Sequence, residues 1–234
     1  MEIVNNGYAT GNILDILTPE QKIDLEKNIQ YVKDSAADKT ELKYRFDFSG
    51  GPTYTDNMIK WDAIKEREEH IEKNGYNIFQ RFWEYTINDE NITKFFDKIS
   101  VDIGNALYPK YNVNLTDLDS RGRYMLYENG DFINIHEDGF DARRLCVVLL
   151  YLNDDWKEGD GGELVIKNNG EETMVLPKLG NYAVLDFTKS NVSHAVLKVN
   201  NNFKRFSYIH FLNFKDIDTE TFKLFKEDKI EFKN

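Results

Sequence analysis

The stretch RYMLYENGDFINIHED, residues 123–138, holds two short apolar runs with the turn residues ENGD between them, and it ends on a histidine and two acids. Phe132, Ile133 and Ile135 predict a strand. A strand places residues two apart on one face, so His136 and Asp138 point the same way and Glu137 points to the other side. An imidazole beside a carboxylate can begin a metal site. His-x-Asp is also short enough to arise by chance, and a surface turn closed by Asp138 and Gly139 accounts for it as well.

The same texture continues downstream. RLCVVLLYLNDDW, GGELVIKN, ETMVLPKLG, NYAVLDF, SHAVLKV and RFSYIHFLNF are short apolar runs divided by turn residues. Strands repeated at this spacing predict a β-sandwich or barrel. Upstream, helices dominate. TPEQKIDLEKNIQYVKDS has Thr18 as N-cap, Pro19 at the first helical position and Gln21 three residues after the cap, with Ile23, Leu25, Ile29 and Val32 spaced for one face. DNMIKWDAIKEREEHIEKN and NITKFFDKISVDIGNALY predict two more helices, and FDFSGGPTYTD between the first two reads as a loop. The expected fold class is α+β in one domain over 1–234. Residues 1–121 form a mainly helical support with some strands, 122–214 the β core, and 215–234 a helical tail.

Composition bounds the function. The formal net charge is -11, from 30 Lys+Arg against 41 Asp+Glu, which opposes a phosphate backbone, so no nucleic-acid partner is expected. Cys146 is the sole cysteine and lies in an apolar run, so an internal disulfide is impossible and a buried thiol is expected. No basic leader or membrane-length apolar stretch is visible, so neither secretion nor a membrane partner is expected. The expected compartment is the reducing cytoplasm. Oligomeric state is not legible.

A third ligand for His136 and Asp138 has to come from another strand. His70 lies among charges and reads as a surface residue, and His210 inside SYIHFLN reads as a packed or edge-facing strand residue. His194, at the head of SHAVLKV after a polar turn, is the better candidate. Two histidines and one carboxylate form the facial ligand set that leaves metal positions open and suits non-haem Fe(II), although a zinc site uses the same residue types. Arg205 begins RFSYIHFLNF, where alternation sets Arg205, Ser207, Ile209 and Phe211 on one face and Phe206, Tyr208 and His210 on the other. A guanidinium among apolar neighbours calls for a carboxylate, and a ligand can supply it.

From Tyr124 to Phe214 the chain resembles the Fe(II)/2-oxoglutarate-dependent dioxygenases. Within them it is most similar to the prolyl hydroxylases that act on hypoxia-inducible factor and their microbial relatives. YENGDFINIHED, RRLCVVLLYLNDDW, GGELVI, AVLDF, SHAV and RFSYIHFLN carry the likeness, in family order. The resemblance implies a double-stranded β-helix (jelly-roll) core with supporting N-terminal helices. It implies that His136, Asp138 and His194 bind iron, that Arg205 pairs with the distal carboxylate of 2-oxoglutarate, and that Tyr151 hydrogen-bonds that carboxylate. Tyr127 matches a pocket tyrosine, with one residue fewer in the interval before His136 than in the relative it most resembles. Leu149, Leu164, Val196 and Ser207 would line the cosubstrate pocket. Arg144 matches a position that contacts the peptide substrate, and Asp56 and Trp61 sit in a segment reminiscent of a mobile substrate-covering loop.

The implied reaction takes Fe(II), 2-oxoglutarate and dioxygen, with ascorbate as a further cofactor, and hydroxylates a C–H bond with succinate and carbon dioxide as coproducts. The implied substrate is a prolyl residue in a protein or peptide, and the alternative is a free amino acid or small metabolite. A zinc hydrolase and a non-enzymatic ligand-binding β-barrel are the remaining readings of the same residues.

Overall fold

The computed structural model describes residues 7–37, 43–47, 53–54, 80–108, 122–137, 144–187 and 192–213. Before the apolar runs come β1 (Tyr8–Asn12), α1 (Pro19–Ser35), β2 (Lys43–Asp47), β3 (Thr53–Tyr54), β4 (Gln80–Tyr85) and α2 (Glu90–Leu107). The runs themselves are β5 (Arg123–Tyr127), β6 (Phe132–His136), β7 (Arg144–Tyr151), β8 (Leu164–Asn168), β9 (Glu171–Val175), β10 (Asn181–Asp186), β11 (Ser193–Val196) and β12 (Arg205–Asn213). Each apolar run read as a strand is one. The second predicted helix and the C-terminal tail lie outside the described residues.

Local chemistry explains the element ends. Thr18 caps α1 in a full capping box: its hydroxyl accepts from Gln21 N–H at 3.3 Å, and Gln21 Oε1 accepts from Thr18 N–H at 2.9 Å. Leu25, Ile29 and Val32 are buried as expected, but Ile23 is 54% exposed. It lies two positions before Leu25, about 200° away around a helix, and so turns to solvent. Asp89 caps α2, and Ile92, Phe96, Ile99, Ile103 and Leu107 form its buried stripe. Asn169 and Gly170, both at positive φ, make the two-residue turn that lets β8 double back onto β9.

All pairings are antiparallel, in the order β1-β10-β7-β12-β5-β4-β6-β11-β8-β9, with β2 joined to β3 and β4. The sheet curls so that its two ends touch: Tyr8 Oη of β1 lies 2.6 Å from Thr173 Oγ1 of β9. This is the expected double-stranded β-helix. Strand alternation divides the core in two. Leu126, Val148, Leu150, Val184, Phe206 and Tyr208 face outward and pack with α1 and α2. Tyr127, Val147, Leu149, Tyr151, Leu164, Ile166, Leu185, Val196 and Ile209 face the interior. Strands buried on both faces read as unbroken apolar runs, which accounts for LCVVLLYL. No helix among the described residues is long and apolar enough to cross a membrane.

Candidate active site

β6 ends at His136, and β11 carries His194 as its second residue. Antiparallel pairing sets them directly opposite, with imidazole centroids 4.2 Å apart and the rings tilted by 49°. The register then slips between His194 and Val196, a bulge of the kind that re-aims side chains. His136 Nδ1 lies 2.8 Å from Asn134 O. Facing a carbonyl oxygen, Nδ1 carries the proton, which puts the ring's lone pair on Nε2, the arrangement a metal-binding imidazole needs. Glu137 is exposed. Asp138, the expected third ligand, lies outside the described residues, and among the described residues no three metal-ligating side chains meet.

Inside the curl, Arg205 is 1% exposed. Its Nε donates to Gly162 O at 2.7 Å and its Nη1 to Ser207 Oγ at 3.1 Å. Its Cζ sits 4.6 Å from the ring centroid of Tyr127 and 5.0 Å from that of Tyr151. Nη2 and the Tyr151 hydroxyl are buried, and among the described residues neither meets a hydrogen-bond partner in good geometry. No described carboxylate pairs with the guanidinium. Burial pushes the Tyr151 hydroxyl above the ordinary tyrosine range, opposed by the charge and close approach of the Arg205 guanidinium, so it stays a neutral O–H. Each buried donor left unmet costs about 1–3 kcal/mol, a cost that one carboxylate accepting from both would remove. The donor chemistry therefore fits an organic acid, and the imidazole pair fits a divalent metal.

Tyr127, Leu149, Tyr151, Leu164 and Val196 belong to the same interior cluster, and Ser207 lies beside Arg205. Arg144 opens β7, but its side chain is outside the description, as are Asp56 and Trp61. The sequence reading missed Gly162. It sits at φ +77, and a Cβ there would come within 2.9 Å of Arg205 Cδ, so only glycine lets its carbonyl approach the arginine this closely. The GG pair before β8 was the available signal. A cavity of about 300 Å³ near Thr93, Asp97 and Tyr124 lies on the helix side of the sheet and contains neither histidine.

Residues 122–213 match the family model of the 2OG-Fe(II) oxygenase superfamily. Those residues are a 2OG-Fe(II) oxygenase domain. No curated protein matches the chain in sequence. Among solved structures, a Pseudomonas putida prolyl-4-hydroxylase is similar with a TM-score of 0.57 at 19% identity, over 91% of this chain and 95% of that one. A Trichoplax adhaerens prolyl hydroxylase, in complex with a hypoxia inducible factor oxygen degradation domain peptide fragment, gives a TM-score of 0.58 at 15% identity over 94% and 87%. A viral collagen prolyl hydroxylase from Paramecium Bursaria Chlorella virus-1, in its 2OG complex, gives 0.51 at 12% identity over 91% and 98%. At these identities the likeness to the oxygenase domain is one of fold.

Proposed function

We propose that this oxygenase hydroxylates a prolyl residue in a protein or peptide, using Fe(II), 2-oxoglutarate and dioxygen and releasing succinate and carbon dioxide. The observation that carries the cosubstrate assignment is Arg205: a fully buried guanidinium whose Nη2, with the neighbouring Tyr151 hydroxyl, has no acceptor among the described residues, in the same curl of sheet as the His136 and His194 pair. In this reading His136, Asp138 and His194 hold the iron. Arg205 and Tyr151 take the distal carboxylate of 2-oxoglutarate, and Leu149, Leu164, Val196, Tyr127 and Ser207 enclose its length. Iron bound there supplies dioxygen activation coupled to decarboxylation of the 2-oxo acid.

This chain's own share is positioning. Anchoring the far carboxylate leaves the 2-oxo end one orientation toward the histidines, which converts a loose encounter into a fixed one. Arg144, Asp56 and Trp61 are the proposed substrate contacts, and ascorbate the proposed auxiliary reductant. The prolyl assignment leans on the solved neighbours, all three of which are prolyl hydroxylases by description.

Succinate release with Fe(II) and 2-oxoglutarate, measured across proline-containing peptides and free amino acids, tests the proposal. Turnover stimulated by a proline peptide, with hydroxyproline in the product, is the expected result. Stimulation by free amino acids alone would replace the peptide reading with the small-molecule one. Hydrolysis supported by Zn(II) without 2-oxoglutarate would overturn the cosubstrate assignment.

A further inference from the structure

We propose that Asn153 is the positioning residue of the carboxylate anchor, its side-chain amide standing in for a strand and gripping the main chain on both sides of Arg205. This inference rests on the reading of Arg205 as that anchor.

β7 and β12 pair as far as Ser207 and Tyr151, and one more rung follows, from Leu152 N–H to Phe206 O at 3.2 Å. There the β7 strand ends. Phe206 N–H and Lys204 C=O, which a continuing strand would have met, are met by one side chain instead. Asn153 Nδ2 donates to Lys204 O at 2.6 Å, and Asn153 Oδ1 accepts from Phe206 N–H at 2.7 Å. An asparagine side chain ends in the same paired donor and acceptor as a peptide group, so it can take both places of a missing rung.

On its other edge Arg205 pairs with Tyr127 of β5. The root of the arginine is therefore held from both sides at the strand's first residue, where a strand would otherwise fray. The amide itself is fixed: Asn153 is 1% exposed, and its own carbonyl accepts from Leu179 N–H. Gly162 O and Ser207 Oγ hold the head of the guanidinium, and Asn153 holds its base, so that Nη2 keeps one aim. Aspartate has the same shape and still accepts from Phe206 N–H, but it sets an oxygen against Lys204 O. Leucine offers neither bond.

The test is anaerobic equilibrium dialysis of the full Fe(II)-loaded chain against two probes. One is 2-oxoglutarate; the other is oxalate, which chelates a metal but has no distal carboxylate. Asn153→Asp and Asn153→Ala should each weaken 2-oxoglutarate binding by about tenfold or more, with oxalate and Fe(II) binding preserved. In an Arg205→Ala background Asn153→Ala should add nothing, because two residues acting as one unit are not additive. Where Asn153→Ala does not fold, the isosteric Asn153→Asp carries the comparison.

Equal weakening of both probes would make Asn153 a general structural residue and overturn the proposal. Unchanged 2-oxoglutarate affinity, or additive loss in the double variant, would overturn it too while leaving the anchor reading intact. Failure of the unsubstituted chain to bind 2-oxoglutarate would overturn the anchor reading first, and this inference with it.

Discussion

A buried charge without a counter-ion works against folding, and among the described residues Arg205 is held only by a carbonyl, a hydroxyl and two aromatic faces. In the proposed function its position answers to a ligand and not to the stability of the free chain. Arg205→Met should be no less stable than the parent without 2-oxoglutarate. It should also lose the rise in melting temperature that the parent shows on adding the diacid, a rise that follows from binding to the native state alone. Thermal melts of both proteins with and without 2-oxoglutarate check this; a large loss of stability in the free variant would contradict it. Arg205 was legible in the sequence because a cation interrupts an apolar alternation. Gly162 was not, since its value depends on an arginine 43 residues away. Asp138, expected from His-x-Asp as a ligand, lies outside the described residues.

β12 shows how one element serves two purposes. Its inner face carries Arg205 and Ser207. Its outer face carries Tyr208, whose hydroxyl donates to Asp97 of α2, and His210, whose Nδ1 lies 3.3 Å from Asp97 Oδ1. Burial, with the Asp97 charge beside it, pushes the Tyr208 hydroxyl far above the ordinary range, so it remains a donor at any working pH. Tyr208→Phe leaves a partly buried carboxylate short of a donor and should cost about 1–3 kcal/mol in denaturant unfolding. Because the change lies on the helix side, 2-oxoglutarate affinity should stay as it was, and a marked loss of affinity would mean that the faces are not independent. The alternation that separates these faces is readable from RFSYIHFLNF, and the cap of α1 from TPEQ. YATGN has no apolar alternation and holds turn residues, so its sequence does not announce a strand; β1 forms by pairing along β10.

At the scale of the molecule, the sequence announced how many short strands the second half contains but not which would be neighbours. Hydrogen-bonding order is decided by how the sheet curls and closes, and no run carries that information in its own composition. The closure brings β6 beside β11 and β12 beside β7, and so gathers a histidine pair and a buried cation from segments scattered over 136–205. We propose that this gathering would hold one ferrous ion together with 2-oxoglutarate. Anaerobic titration of 2-oxoglutarate into the Fe(II)-loaded chain, followed by visible charge-transfer absorption, tests it most directly. The parent and Glu137→Ala should develop the band and saturate at one equivalent, and His136→Ala and His194→Ala should not. A band that persists in His194→Ala, or none in the parent, would contradict the claim.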